Sequence, residues 1–131
     1  MLFRSTRGHL WFTRKPSEIV YSRVGSHAVF EWDYSAANET TDLERIEWRA
    51  YNETEEGYSL LLKEDPNDID PVRPTLPQEY EGRVERKGRA SLVIKDVTFL
   101  DSTRYKCMLK GKPGVPDSWS IVQLEIGRAH V

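Results

Sequence analysis

The sequence has 131 residues, of which 38% are hydrophobic and 31% are charged, and its formal net charge is −2. This length fits a single domain. Four Trp, six Tyr and four Phe exclude an intrinsically disordered chain, which combines few aromatic residues with a high net charge. There is no apolar run of about 18 residues, so no membrane-spanning helix is predicted. Cys107 is the single cysteine; it excludes an intramolecular disulfide and, taken alone, favours a reducing compartment such as the cytosol.

The charges are distributed unevenly along the chain. Residues 1–30 carry five basic and one acidic side chain, residues 31–82 carry four basic and fifteen acidic, and residues 83–131 carry ten basic and five acidic. The near-zero total gives no signature of a polyanion-binding protein. The acidic middle between basic flanks fits either an ordinary solvated surface or electrostatic complementarity between binding partners.

Short runs of β-branched and aromatic residues, separated by Gly, Pro, Asn and Asp, predict an all-β protein. Predicted strands lie near 19–21 and at 28–32, 46–50, 58–62, 82–86, 91–95, 105–109 and 120–126. Four prolines within 63–80 predict a long edge excursion there instead of a central strand. Eight or more short strands at this spacing predict an antiparallel two-sheet β-sandwich.

The domain is predicted to cover residues 17–127. Residues 1–16 are interpreted as an N-terminal arm or a first edge strand, and residues 128–131 as a linker or cloning remainder. The cations of the arm, Arg4, Arg7, Arg14 and Lys15, fit either a solvated terminus or a surface that binds a nucleic acid or a membrane.

The segment 101–107, DSTRYKC, resembles the D-x-x-x-Y-x-C signature of immunoglobulin superfamily V-set domains. In that family Tyr105 would form the tyrosine corner and Cys107 would point inward from strand F. Trp48 stands where the family has its core strand-C tryptophan. The resemblance extends over residues 17–127 and implies a V-set-like sandwich.

Two further patterns carry the resemblance. Leu92 and Ile94 match the inward positions of strand E, and Arg83 stands where V-set domains place an arginine that pairs with the aspartate before strand F, here Asp101. Arg83 and Asp101 are expected to form a structural salt bridge with each other.

The sequence departs from the family at strand B, where Trp32 occupies the position of the usual cysteine. The disulfide partner of Cys107 is therefore missing. Loss of such a disulfide costs about 2–5 kcal/mol, and burial of a Trp side chain contributes a comparable amount. We expect Trp32 and Cys107 to face each other in the core beside Trp48.

The resemblance reverses the interpretation of the compartment, because V-set domains are overwhelmingly extracellular. Two N-x-T sequons, at Asn38 and Asn52, fall in predicted loops after strands B and C, where glycans are tolerated. The expected setting is the ectodomain of a single-pass cell-surface protein.

Catalytic and metal-binding chemistry is not indicated. His9, His27 and His130 are far apart in the sequence, and no metal site or cofactor is predicted from their spacing. The segment 65–70 has the acidic character of a calcium loop, but it lacks the glycine at position six and the glutamate at position twelve. We expect no enzymatic activity.

The resemblance implies that the sheet face of strands G, F, C and C′ recognises a protein partner. Alternation predicts its outward residues as Glu47, Arg49 and Tyr51 on strand C, Lys106, Met108 and Lys110 on strand F, and Trp119, Ile121 and Gln123 on strand G. Aromatic and Met side chains amid charges are typical of an interface core and rim. Alternatively, a bulge in strand G turns Trp119 inward, or Trp119 packs on the neighbouring loop.

The expected function is therefore extracellular recognition or adhesion, with a protein partner and with neither a nucleic acid nor a small-molecule substrate. The loss of only the strand-B cysteine is similar to the V-set-like distal domains of allorecognition receptors in colonial hydroids, which implies homophilic binding between opposed cells. Heterophilic adhesion, an immune or viral receptor domain, and a structural spacer domain are the alternatives.

Overall fold

The structure is a computed structural model that describes residues 8–65 and 78–128. Within these ranges the chain forms ten strands and one short helix. The strands are β1 (Leu10–Arg14), β2 (Ile19–Arg23), β3 (Ala28–Phe30), β4 (Asp33–Ala36), β5 (Leu43–Asn52), β6 (Gly57–Glu64), β7 (Val84–Lys87), β8 (Ser91–Ile94), β9 (Arg104–Gly111) and β10 (Ser118–Gly127). Helix α1 is Glu39–Asp42, and 3₁₀ turns cover Gln78–Tyr80 and Phe99–Asp101.

The strands form a two-layer sandwich. One layer is a five-stranded sheet in the order β2-β10-β9-β5-β6, and the other contains the sheet β3-β8-β7 and the ribbon β1-β4. All strand pairs are antiparallel except β2 and β10, which run parallel. The predicted architecture is confirmed: the protein is an all-β two-sheet sandwich, and its single cysteine leaves it without an inter-sheet disulfide.

The run predicted as one strand at 28–32 is split in two. Strand β3 ends at Phe30, where it pairs with β8, and β4 begins at Asp33 and pairs with β1. Trp32 lies between them with its side chain buried. The chain changes pairing partner at this point, so the hydrogen-bond ladder is interrupted although the inward alternation continues.

One other predicted boundary shifts. Strand β7 begins at Val84, later than the predicted start, because Gly82 adopts a φ of +77° in the preceding turn. At the N-terminus, β1 lies within residues 1–16, and its Leu10 is buried in the core. Of the predicted edge excursion, β6 continues to Glu64, and residues 66–77 lie outside the described ranges.

The core lies between the two layers and is rich in aromatic residues. Its largest fully buried side chains include Trp32, Trp48, Tyr105 and Phe30. The ring centroids of Phe30 and Tyr105 lie 5.0 Å apart, and those of Phe30 and Trp32 lie 5.7 Å apart. Leu92 and Ile94 of β8 close the core from the other layer. This packing lies on one side of the five-stranded sheet and leaves its opposite side free of the core.

Candidate protein-interaction face

The side of the five-stranded sheet that faces away from the core is called here the outer face. Strand register arranges its side chains in rows across the sheet. One row contains Lys63, Glu47, Met108 and Trp119, and the next contains Leu60, Arg49, Lys106 and Ile121. The alternation of β5, β9 and β10 therefore brings the side chains predicted for a partner-binding face onto one surface.

Two large apolar residues of β10 are exposed on the outer face. Trp119 has a relative accessibility of 57% and Ile121 one of 44%. Trp119 thus points to solvent, and β10 has no bulge that turns it inward. Exposed large apolar side chains that are grouped on one sheet face are typical of interaction surfaces.

Cations and aromatic rings alternate across the outer face. The Arg104 guanidinium lies 4.1 Å from the ring centroid of Tyr51, and the Tyr51 and Tyr58 rings are 5.3 Å apart. The Lys106 ammonium lies 5.3 Å from the Tyr58 ring and 5.5 Å from the Trp119 ring. These distances are in the range of cation–π attraction.

Glu47 was predicted as an outward contact residue, and this prediction requires correction. Its side chain is on the outer side of β5 but retains only 2% exposure, because Arg45 and Arg49 both bind its carboxylate and cover it. Arg49 donates to Glu47 Oε1 at 2.7 and 2.9 Å and also to the Tyr58 carbonyl. A partner therefore meets the two guanidinium groups instead of the carboxylate.

The electrostatics of Glu47 follow from this arrangement. Burial by itself would raise the pKa of Glu47, but the hydrogen bonds and charges of Arg45 and Arg49 outweigh it, and the pKa lies below its ordinary value. Glu47 stays ionised and fixes the positions of both arginines.

The remaining predicted face residues are half-buried. Met108 lies opposite Trp119 on the neighbouring strand. The Lys110 ammonium binds the Asp117 carboxylate at 3.1 Å, and the Gln123 side-chain amide donates to the Leu124 carbonyl. Lys110 and Gln123 are thus engaged within the domain and frame the more exposed β10 residues.

The sequence analysis missed several residues of the outer face, including Arg104 and Tyr58 and two residues of β2. Ile19 and Tyr21 on β2 retain 44% and 76% exposure and lie beside Gln123 and Glu125 of β10. Their alternation with Val20 was visible in the sequence, but the parallel pairing of β2 with the last strand was not. They extend the apolar strip of β10 to the edge of the sheet.

The residues predicted to stabilise the fold lie away from the outer face, in the core or in the ion pair of Arg83 and Asp101. The Arg83 guanidinium forms a bidentate ion pair with the two carboxylate oxygens of Asp101, at 2.8 and 2.9 Å. Trp48 is the cross-strand partner of Cys107, and burial raises the pKa of the Cys107 thiol well above its ordinary value. Burial, with Tyr80 and Asp101 nearby, likewise raises the pKa of Tyr105.

The two sequons lie at different places in the fold. Asn38 is exposed and precedes α1, in the connection between β4 and β5. Asn52 was predicted in a loop, but it is the last residue of β5 and is half-buried. It still pairs with Gly57 across the hairpin, so the strand continues two residues beyond the predicted end at residue 50.

Other candidate chemistry is not assembled in the described ranges. No group of three His, Cys, Asp or Glu side chains there could hold a metal ion. His9 lies beside the Trp11 ring, and the His27 ring accepts a hydrogen bond from the Asp96 backbone. Arg14 forms an exposed ion pair with Glu31. His130, Arg4, Arg7 and most of the calcium-like segment lie outside the described residues, and no helix of the described part is long and apolar enough to cross a membrane.

Comparison with known proteins identifies the fold. No family model matches the sequence, and no curated protein matches it significantly. Domain 1 of VCBP3 from Branchiostoma floridae is similar in structure, with a TM-score of 0.69 and 16% identity over 92% of this chain and 96% of that one. Murine CRIg is also similar in structure, with a TM-score of 0.66 and 15% identity over 89% of this chain and 98% of that one.

A third similar structure is the extracellular domain of the voltage-gated sodium channel β4 subunit. Its TM-score is 0.63 at 17% identity, over 90% of this chain and 96% of that chain, and it forms parallel homodimers with a role in cell–cell adhesion. VCBP3 is a V-region-containing chitin-binding protein. These likenesses establish the immunoglobulin V-type fold for this chain.

Proposed function

We propose that the chain is an extracellular recognition domain of a cell-surface protein, without enzymatic activity, and that it binds a second copy of itself through the outer face. The observation that carries this proposal is the exposed strip of Trp119 and Ile121 beside the cations Arg49, Arg104 and Lys106. An aromatic centre with an Arg-rich surround is the composition of binding hot spots.

Charge complementarity supports a second copy as the partner. Arg104 and Lys106 contact aromatic rings and have no carboxylate partner within the described residues. The turn between β5 and β6 presents Glu53, Glu55 and Glu56, all exposed and without a cation partner in the same ranges. A two-fold contact would place each acidic turn against basic residues of the other copy, and so would form this attraction twice.

The adhesion role of the sodium channel β4 homodimer gives a precedent for self-association in this fold. The replacement of the strand-B cysteine by Trp32 supports the narrower proposal of homophilic binding between opposed cells, as in invertebrate allorecognition. Recognition of a different protein by the same face, and a spacer role, are the competing functions that the experiment below separates.

A charge-exchange experiment tests the proposal. Variant one carries Arg104→Glu and Lys106→Glu, and variant two carries Glu53→Lys, Glu55→Lys and Glu56→Lys. Each variant alone places like charges in contact and should lose the concentration-dependent association seen for the natural chain in sedimentation velocity. An equimolar mixture should associate again, because each altered surface then meets its complement.

Matched controls keep the interpretation specific. Lys87→Glu with Lys95→Glu makes the same charge change on the other layer and should leave association unchanged. Added salt should weaken association of the natural chain. A natural chain that stays monomeric overturns homophilic binding and leaves a different protein as the partner; a mixture that fails to associate overturns the charge arrangement.

A further inference from the structure

We propose that Asn38 and Asn52 both carry N-linked glycans and that these glycans lie at opposite ends of the sandwich, so that the outer face stays uncovered. This inference rests on the extracellular location in the proposed function. It concerns covalent modification and can be measured whether or not the domain binds itself.

Asn38 has the accessibility that the modification requires. Both Asn38 and Thr40 are exposed, and the Asn38 side-chain oxygen accepts hydrogen bonds from the Thr40 backbone at 3.2 Å and the Thr40 hydroxyl at 2.7 Å. The amide nitrogen Nδ2 donates no hydrogen bond within the described residues. The reacting atom is therefore free while the sequon is held in a defined conformation.

Asn52 is half-buried and has a comparable side-chain arrangement at the β5–β6 turn. Its side-chain oxygen accepts from the backbone of Thr54 at 2.9 Å and of Glu55 at 3.2 Å, and Thr54 is exposed. Its Nδ2 likewise donates no hydrogen bond in the described part of the chain. In both sequons the oxygen is used by the fold and the nitrogen is left for modification.

The positions of the two sequons keep glycans off the strands of the outer face, although Asn52 begins the β5–β6 turn whose acidic residues the proposed self-contact uses. Strand alternation places Asn52 on the side of β5 opposite Tyr51, which belongs to the outer face. Asn38 precedes α1, whose Glu39 binds Tyr34 of β4 and Arg89 beside β8, both in the other layer. The ten-residue strand β5 separates the two sites by about 30 Å.

In the modification reaction, a lipid-linked oligosaccharide diphosphate donates its oligosaccharide to the asparagine. Nδ2 of the asparagine forms a bond to C1 of the first sugar, and the bond from C1 to the diphosphate oxygen breaks. The diphosphate leaves with the bonding electron pair, and Nδ2 loses one proton to a base. The product keeps an amide that is still able to accept through its oxygen.

The test uses the chain secreted from eukaryotic cells, compared before and after digestion with peptide N-glycosidase. We expect peptide mass spectrometry to find Asn38 and Asn52 converted to Asp by the enzyme. Ile121→Asn with Gln123→Thr adds a sequon on the outer face, and Ile121→Asn alone is the matched control that adds the same polar residue without a sequon.

The outcomes decide both parts of the inference. An unmodified natural chain, or one modified at a single site, overturns the assignment if the added sequon is occupied in the same cells. Amine labelling of Lys106 at dilute concentration should be unchanged by enzymatic removal of the natural glycans and should drop when the added sequon is occupied. Increased labelling of Lys106 after removal of the natural glycans overturns the uncovered face. Failure of self-association by the enzymatically deglycosylated chain affects only the proposed function.

Discussion

Trp32 connects the two layers of the sandwich at the position where a V-type domain usually has a disulfide. Its indole N–H donates to the Ser120 hydroxyl at 3.0 Å, and Ser120 is the cross-strand neighbour of Cys107. All three residues are buried. A hydrogen bond and aromatic packing thus join the layers beside the unpaired thiol, without a covalent bond.

This arrangement predicts a measurable cost for Ser120→Ala. The substitution leaves the buried indole N–H without an acceptor, so we expect the free energy of unfolding to fall by about 1–3 kcal/mol. Urea unfolding measures the loss. Faster thiol labelling of Cys107 should accompany it, because opening of the core becomes more frequent.

The matched control is Ser118→Ala on the same strand, whose hydroxyl makes no hydrogen bond in the described ranges. It should change stability by less than about 0.5 kcal/mol. If Trp32→Phe combined with Ser120→Ala costs the full sum of the two single substitutions, the coupling between the two side chains is absent.

At the scale of single elements, the 3₁₀ turn Phe99–Asp101 is fixed by one carboxylate. Asp101 accepts from the Thr98 backbone at 2.8 Å and pairs with Arg83, and the Tyr105 hydroxyl donates to the Asp101 carbonyl at 2.7 Å. These bonds tie the turn to β9 and to the residues before β7. The turn therefore links the two layers at the end of the sandwich where β9 begins.

Asp101→Asn should destabilise the domain by about 3 kcal/mol. This lies at the lower end of the range for a broken buried ion pair, because the Arg83 side chain keeps some solvent contact. Glu85→Gln removes the exposed partner of Lys95 and should cost less than about 1 kcal/mol. Equal unfolding midpoints for the two variants in urea would contradict this role for Asp101.

At the scale of the whole molecule, two carboxylates couple stability to pH. Hydrogen bonds from the Asn38 and His9 backbones and from Thr41 lower the pKa of Asp42, although burial opposes this shift. The pKa of Glu47 is also lowered. For a depressed pKa the unfolded chain binds more protons, so stability is complete above the unfolded pKa and is lost as pH falls through the folded value.

We therefore expect the stability supplied by these groups to be constant near neutral pH and to fall progressively below about pH 5, where unfolded carboxylates begin to protonate. Denaturant unfolding at a series of pH values measures the slope. Asp42→Asn and Glu47→Gln should each reduce the slope with which the free energy of unfolding falls at acidic pH. An unchanged slope in both variants would show that other groups couple stability to pH.

Much of the fold could be predicted from the sequence because its signals are local. Alternation in β5 placed Ile46, Trp48 and Ala50 on the inward side, and all three are buried. The same alternation assigned β9 and β10 their outward residues, including Trp119. A side chain's direction along a strand depends only on its position in the strand.

Exposure and pairing depend on contacts between distant parts of the chain, and these escaped sequence reasoning. The burial of Glu47 results from two long arginine side chains that fold over it. The membership of Ile19 and Tyr21 in the outer face results from parallel pairing of β2 with β10, which are about a hundred residues apart. Alternation contains no information on either.

By itself, then, the sequence determined the sandwich, the aromatic core and the absence of a disulfide, because period-two patterns and residue identity suffice for them. Only the tertiary structure decided that Ser120 receives the Trp32 indole, that the chain changes partner strand at this point, and that the outer face presents guanidinium groups over a hidden carboxylate. Each of these features is a contact between strands that are separated in sequence, and it forms only when the two layers pack.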